Sequence, residues 1–205
     1  MNAYIKLFMP VSLATYLCIR YLDRPVSLFV NDCLYGNSHW SALTSSLPDI
    51  LLLVVIIISI PCAFWHFYRK KRSLFDAKTS LLGFLALTLP IAFILKSILK
   101  YLFGRVETRY WLHHQQVYEF HWLHGGSKFN GFPSGHMIVL VTLFAAIARY
   151  CAGYRLPCYT LMALLALLLV STNYHFVGDV IAGMYLGLLL ESSLDRFYIR
   201  NYPGG

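Results

Sequence analysis

Ser134, Gly135 and His136 open a long apolar segment in the stretch GFPSGHM, and His175 and Asp179 open another in HFVGD. Lys100 and Arg105 lie at the end of a third, in KYLFGR. A helix that starts with Ser-Gly presents N–H groups without intrahelical partners and the positive end of its dipole, which suits an anion. Gly135 lets backbone come close to a ligand, while Lys and Arg neutralise phosphate charge, Arg through a planar donor fork. Two histidines meet the remaining needs of phosphoryl transfer: one attacks phosphorus and the other protonates the leaving oxygen. His175 and Asp179 are four residues apart, so they share one face of a helix. A carboxylate there holds the imidazole's tautomer and stabilises its cation. Asp179 lies about five residues into its apolar segment, where a carboxylate is costly and functional by default.

The elements that must position these groups are membrane helices. The chain is 58% hydrophobic and only 13% charged, against about a quarter charged in soluble domains. Six apolar segments approach the roughly 20 residues needed to span a bilayer: 5–22, 48–68, 80–102, 135–152, 157–173 and 175–194. The expected fold is an all-α, polytopic six-transmembrane-helix bundle forming a single membrane domain, 1–205, with an interfacial loop at 106–130. The fifth and sixth segments meet in a tight turn near STNYHF, and Pro61 and Pro90 fall inside spans, as membrane helices tolerate. The first segment is read as a membrane helix and not a cleaved signal, because its charged start is a lone Lys6 and no small-x-small site follows. Five cysteines without CxxC spacing predict neither a disulfide framework nor a metal site.

The net charge of +8 comes from short basic clusters between apolar runs, which argues for topology signals and against a nucleic-acid partner. Arg69, Lys70, Lys71, Arg72 and Lys78 mark one loop as cytoplasmic, and Lys6, Arg149, Arg155, Arg196 and Arg200 fall on the same side of a six-span chain. Arg20 and Arg24 are exceptions, with Asp23 expected to offset one of them. Lys100 with Arg105, Ser134 to His136, and His175 with Asp179 then all land on the opposite, outer face. They played no part in assigning the orientation.

PSGH at 133–136, preceded by KYLFGR at 100–105 and followed by HFVGD at 175–179, resembles the type-2 phosphatidic acid phosphatase (PAP2) superfamily, which also includes glucose-6-phosphatase and vanadium haloperoxidases. The resemblance covers roughly residues 80–195. It implies that His175 is the nucleophile forming a phosphohistidine, that Asp179 orients it, and that His136 protonates the departing oxygen. It further implies that Lys100, Ser134, the Gly135 amide and an arginine after the third helix hold the phosphate, with no metal and no cofactor. The family pattern, K-x6-R-P and later S-R-x5-H-x3-D, is not matched throughout. The position seven after Lys100 is Glu107, leaving Arg105 or Arg109 as the arginine, of which Arg105 fits the family's additional Gly-Arg. The arginine expected six before His175 is Leu169, and Arg109 or Lys128 is the expected substitute.

The loop VETRYWLHHQQVYEFHWLHGGSKFN at 106–130 is dense in aromatic residues and histidine. It reads as an interfacial lid admitting a lipid headgroup, and not as a metal site built from His114, His121 and His124. The expectation is a multi-pass membrane phosphatase, metal-independent, acting on a lipid phosphate or diphosphate at the outer face of a bacterial inner membrane. Its alternatives are a lipid phosphotransferase and a non-catalytic lipid-binding or transport relative. The partners expected are the substrate lipid and the bilayer; neither the headgroup nor the oligomeric state is encoded in these patterns.

Overall fold

The computed structural model describes residues 3–34, 47–72 and 76–201. Among the described residues every named element is helical, and β pairing is limited to one isolated bridge between Arg105 and Phe120. The chain runs α1 (Ala3–Lys6), α2 (Phe8–Leu17), a π-helical turn (Cys18–Leu22), α3 (Asp23–Leu34), α4 (Leu47–Lys71), α5 (Ala77–Phe103), α6 (Thr108–His113), α7 (Gly135–Tyr150), a 3-10 turn (Ala152–Tyr154), α8 (Arg155–Ser171) and α9 (Val177–Asn201).

The N-terminal segment does not stop near residue 22 but stays helical to Leu34. Pro25 has no N–H to continue a regular ladder and its ring crowds the preceding turn. The wider π turn lies just before it, with the Asp23 N–H bonding the Cys18 carbonyl. Asp23 is therefore not a loop charge offsetting Arg20 or Arg24. It is 1% exposed and bonds Arg105.

Asp76 caps α5, accepting from the Thr79 N–H at 2.9 Å and the Thr79 hydroxyl at 2.7 Å. Arg69, from the end of α4, bonds the same carboxylate at 2.7 Å. Thr79 and Arg69 hold the Asp76 carboxyl down at about 2. Gly104 ends α5 in the left-handed region, φ 51°, with its N–H returning to the Lys100 carbonyl. Residues 73–75 of the basic loop between these helices lie outside the described residues.

Among the described residues, four helices are long and apolar enough to cross a membrane, over Leu53–Lys71, Lys78–Phe103, Ala152–Ser171 and Val177–Tyr198, so the expected count of six spans is not confirmed by this measure. α7 is apolar but shorter. It is the central helix, packed on α5, α8 and α9 and buried along most of its length. Phe84, Leu89 and Ala92 of α5 meet its Ile138, Val139 and Ala146 on one side. Met162 and Leu169 of α8 and Val180 of α9 meet its Met137 and Val141 on the other. Gly183 and Gly187 of α9 let it lie against α7: a Cβ on Gly183 would sit 2.6 Å from the Ser134 carbonyl, and one on Gly187 2.9 Å from that of Ile138. This is the small-xxx-small contact of membrane helix pairs, legible in GMYLG at 183–187. Leu53, Ile57, Ile60 and Phe64 on α4, and Leu161, Leu164 and Leu168 on α8, face outward. Bare aliphatic stripes of this kind belong against lipid chains.

Candidate active site

α7 begins at Gly135 because Ser134, with extended backbone, caps it, its Oγ accepting from the Met137 N–H at 3.4 Å. Pro133 precedes the cap, outside the helix. The Ser134 N–H donates to the Asp179 carbonyl at 3.0 Å, tying the start of α7 to the first turn of α9. A Cβ on Gly135 would lie 2.7 Å from Lys96 Cδ and 3.3 Å from Lys100 Cε. Both lysines thus cross directly over the α7 N-terminus, and the bare backbone of Gly135 admits them. Lys96 also places its ammonium 4.1 Å from the centre of the Phe93 ring.

His136 and His175 face each other across this point, ring centroids 6.1 Å apart, with the Tyr174 ring 5.2 Å from each. His175 sits in the turn between α8 and α9 and is 3% exposed. Its Nδ1 faces Asp179 Oδ2 at 3.7 Å, too far for a hydrogen bond of normal geometry. Burial pushes the imidazole well below its ordinary pKa, and Lys100 adds to this; the Gly131 backbone favours the protonated form but is outweighed. Burial thus favours the neutral ring. The two imidazoles thus border one narrow gap at the start of α7.

Arg105 is placed behind Asp179, and not over the gap. One guanidinium nitrogen donates to Asp179 Oδ1, and the other to Asp23 Oδ2 at 2.7 Å and to the Tyr118 hydroxyl at 2.8 Å. Arg105, Asp23 and Asp179 are each 1% exposed or less. Burial alone would lower the guanidinium's pKa, but Asp179 and Asp23 outweigh it and push it up, so Arg105 is a fixed cation. Rings of Phe176, Tyr118 and Phe120 surround it at 4.6 to 5.4 Å from its central carbon. Asp179 completes its bonding by accepting from the Phe176 N–H at 3.2 Å.

Arg109 and Lys128 differ in placement. Arg109 donates to the Thr172 carbonyl at 3.1 Å, lies over the Tyr174 ring at 5.1 Å, and is close enough for His175 to feel its charge. Lys128 instead rests on the Tyr110 ring at 4.5 Å. Leu169 is 2% exposed and packs with Met137 and Met162. Its carbonyl accepts the His175 N–H at 3.1 Å, so this position builds the turn through its backbone. Glu107 lies between Lys100 and Arg109; burial pushes its carboxyl up, against the pull of both cations.

The 106–130 loop covers the end of α5, with the His121 N–H bonded to the Gly104 carbonyl at 3.0 Å and the Leu123 N–H to that of Leu102 at 2.9 Å. His114 stacks on Tyr110, and His121 lies against Phe129. Among the described residues, no three His, Cys, Asp or Glu side chains group as metal ligands. The residue that the sequence reading missed is Asp23. An acidic residue at the end of an apolar stretch was the available signal, masked by two neighbouring arginines.

Comparison with known proteins fits this geometry. The chain is 31% identical over 155 residues to a lipid A 1-phosphatase of Rhizobium johnstonii, covering 75% of this chain and 59% of that protein. It is 30% identical over 105 residues to a lipid A 1-phosphatase of Rhizobium etli, covering 51% of this chain and 45% of that one. The chain thus spans less than two thirds of the length of either relative. No solved structure matches. The model of the PAP2 superfamily matches residues 80–194, which takes in Lys100, the Ser134–His136 cap and the His175–Asp179 pair. With that match over more than half of its length, the chain belongs to the PAP2 superfamily.

Proposed function

We propose that this chain is a membrane phosphatase that hydrolyses a lipid phosphomonoester or diphosphate through a phosphohistidine, at the non-cytoplasmic end of the bundle. The observation that carries the reading is the facing pair His136 and His175 over a helix N-terminus crossed by Lys100. His175 Nε2 attacks phosphorus while Asp179 faces Nδ1. The phosphorus–oxygen bond to the lipid breaks, and the leaving oxygen takes a proton from His136. Water then attacks the phosphohistidine, giving a proton to His136, and orthophosphate leaves as the phosphorus–nitrogen bond breaks. Lys100, Arg109 and the first-turn amides of α7 neutralise the phosphoryl oxygens, so no step calls for a metal.

A site at the end of membrane helices meets an amphiphile more readily than a soluble ester. The relatives' names put the 1-phosphate of lipid A first on a test panel, followed by phosphatidate and polyprenyl diphosphate. The purified protein in detergent is expected to release orthophosphate from at least one of these with excess chelator present. Release that requires an added divalent cation, or that survives His175→Ala, overturns the mechanism. Label appearing in a second lipid instead of in orthophosphate identifies a phosphotransferase.

Two substitutions report on the cradle. Gly135→Ala puts a methyl group where both lysines pass, and is expected to weaken orthovanadate inhibition and slow release roughly tenfold with thermal stability retained. Glu107→Gln removes a negative charge beside Lys100 and Arg109. It is expected to tighten orthovanadate inhibition roughly threefold to tenfold, the size of a Coulomb term of about 1 kcal/mol. The sign with pH follows from the raised Glu107 pKa. As pH falls toward that value the native carboxyl neutralises, so the advantage of Glu107→Gln shrinks on the acid side and is full at high pH. An advantage that is the same at every pH removes Glu107 from the anion's surroundings.

A further inference from the structure

We propose that Asp23, on the N-terminal helix and outside the residues matched to the family, is a positioning residue of the active site, acting through Arg105 and the first turn of α9. The inference rests on the reading of His175 as the nucleophile. Asp23 Oδ2 accepts from Arg105 at 2.7 Å, and Oδ1 accepts the Gly178 N–H at 2.8 Å. Arg105 in turn holds Asp179, the carboxylate facing His175. One fully buried carboxylate thus touches both supports of the His175–Asp179 pair.

The contact is not isolated. Residues 19, 23 and 27 recur at four-residue intervals along one stripe of the N-terminal helix. The Ile19 carbonyl accepts the Tyr118 hydroxyl at 2.7 Å. Ser27 donates to Asn173 Oδ1 at 3.0 Å and accepts from its amide at 3.1 Å through the Ser27 carbonyl. Tyr118 also bonds Arg105, and Asn173 lies in the turn that carries His175, so every rung of the stripe ends on a support of the site. Gly178 is the seat: a Cβ there would meet Ile19 Cγ1 at 2.8 Å and Asp23 Oδ2 at 3.1 Å.

The electrostatic consequence is specific. Arg105 divides its charge between two carboxylates, so Asp179 keeps negative charge to offer His175. Without the Asp23 charge, Arg105 neutralises Asp179 more completely, and the His175 imidazolium loses support. The other charges felt at the ring, Lys100 and Arg109, are unchanged by the substitution.

Asp23→Asn preserves shape and removes the charge. It is expected to lower kcat for lipid phosphate release roughly tenfold to a hundredfold with KM within about twofold. The acid limb of kcat/KM moves to lower pH, and Asp23→Glu restores part of kcat. A wild-type kcat and an unmoved acid limb in Asp23→Asn overturn the proposal. Gly178→Ala displaces the N-terminal helix without altering any charge and is expected to reproduce the kcat loss. If Asp23→Asn does not fold, a wild-type kcat and pH profile in Gly178→Ala overturn the proposal instead. A substrate-independent readout separates this from failure of the phosphatase reading. In isotopically labelled protein, with the His175 resonance assigned by His175→Asn, its titration is expected to move to lower pH in Asp23→Asn. An unmoved titration overturns the proposal even if no lipid phosphate is ever hydrolysed.

Discussion

His175→Asn is expected to lower phosphate release from a lipid phosphate by about 10⁴-fold or more, the loss typical of removing a nucleophile whose partners remain in place. Asparagine is smaller than histidine but polar and carries no ring nitrogen, and an unchanged thermal transition checks that the protein stays folded. The label from a phosphate-labelled lipid is expected to appear on wild-type protein after a rapid alkaline quench, which preserves phosphohistidine, and to be absent from His175→Asn. His136→Ala separates the two histidines. As a proton donor to the leaving oxygen, its loss costs roughly 10²- to 10⁴-fold for a lipid alkoxide. An aryl phosphate, whose leaving group needs no proton, is expected to keep most of its rate of phosphoenzyme formation. Equal losses on both substrates assign His136 to binding instead. His136 labelled in place of His175 reverses the assignment of nucleophile and acid.

The proposed phosphate cradle was legible in the sequence because its parts are chemically out of place. A hydroxyl, a bare backbone and an imidazole at the start of an apolar run, and a carboxylate one turn into another, are expensive in a bilayer unless they have work. Counting positive loops gave them one expected side, and the packed structure brings His136 to His175 and both lysines to Gly135. Partnership was much less legible. The sequence places Arg105 five residues after Lys100 but cannot say which way its side chain turns. Gly104 reverses the chain at φ 51°, and the guanidinium bonds Asp179 instead of reaching between the two histidines. Asp23 was hidden for a related reason: charge counting treats every acidic or basic residue near an apolar end as solvated. The π turn at Cys18–Leu22 carries the helix past that end and turns Asp23 inward. Leu169 looked like a missing phosphate ligand, but its side chain fills the contact between α7 and α8 and its carbonyl holds the His175 N–H. Arg109 reaches the site from a different element, the short helix α6.

Arg105→Met is the sharpest test of that rearranged picture, because the two possible jobs of Arg105 predict opposite signatures. A phosphate ligand can be removed from an empty site with little effect on stability, and its loss appears in KM and in anion affinity. A buried cation between two carboxylates cannot. Asp23 and Asp179 are 1% and 0% exposed, and without Arg105 both are left in an apolar interior without their cation. Breaking one side of a buried ionic cluster typically costs 3–5 kcal/mol, so about 3 kcal/mol or more is expected here. At this chain length that corresponds to a fall of roughly 10 °C in the thermal transition. Adding Asp23→Asn to Arg105→Met removes one of the orphaned charges and is expected to recover part of the lost stability, although Asp23→Asn alone is not stabilising. Such non-additivity is the mark of direct coupling within one cluster. Arg105→Lys keeps the charge but cannot reach Asp23, Asp179 and Tyr118 together from a single ammonium, and is expected to fall between Met and wild type. A normal melting profile in Arg105→Met, with activity lost only through a raised KM, returns Arg105 to the phosphate and removes the Asp23–Arg105–Asp179 cluster from the support of His175.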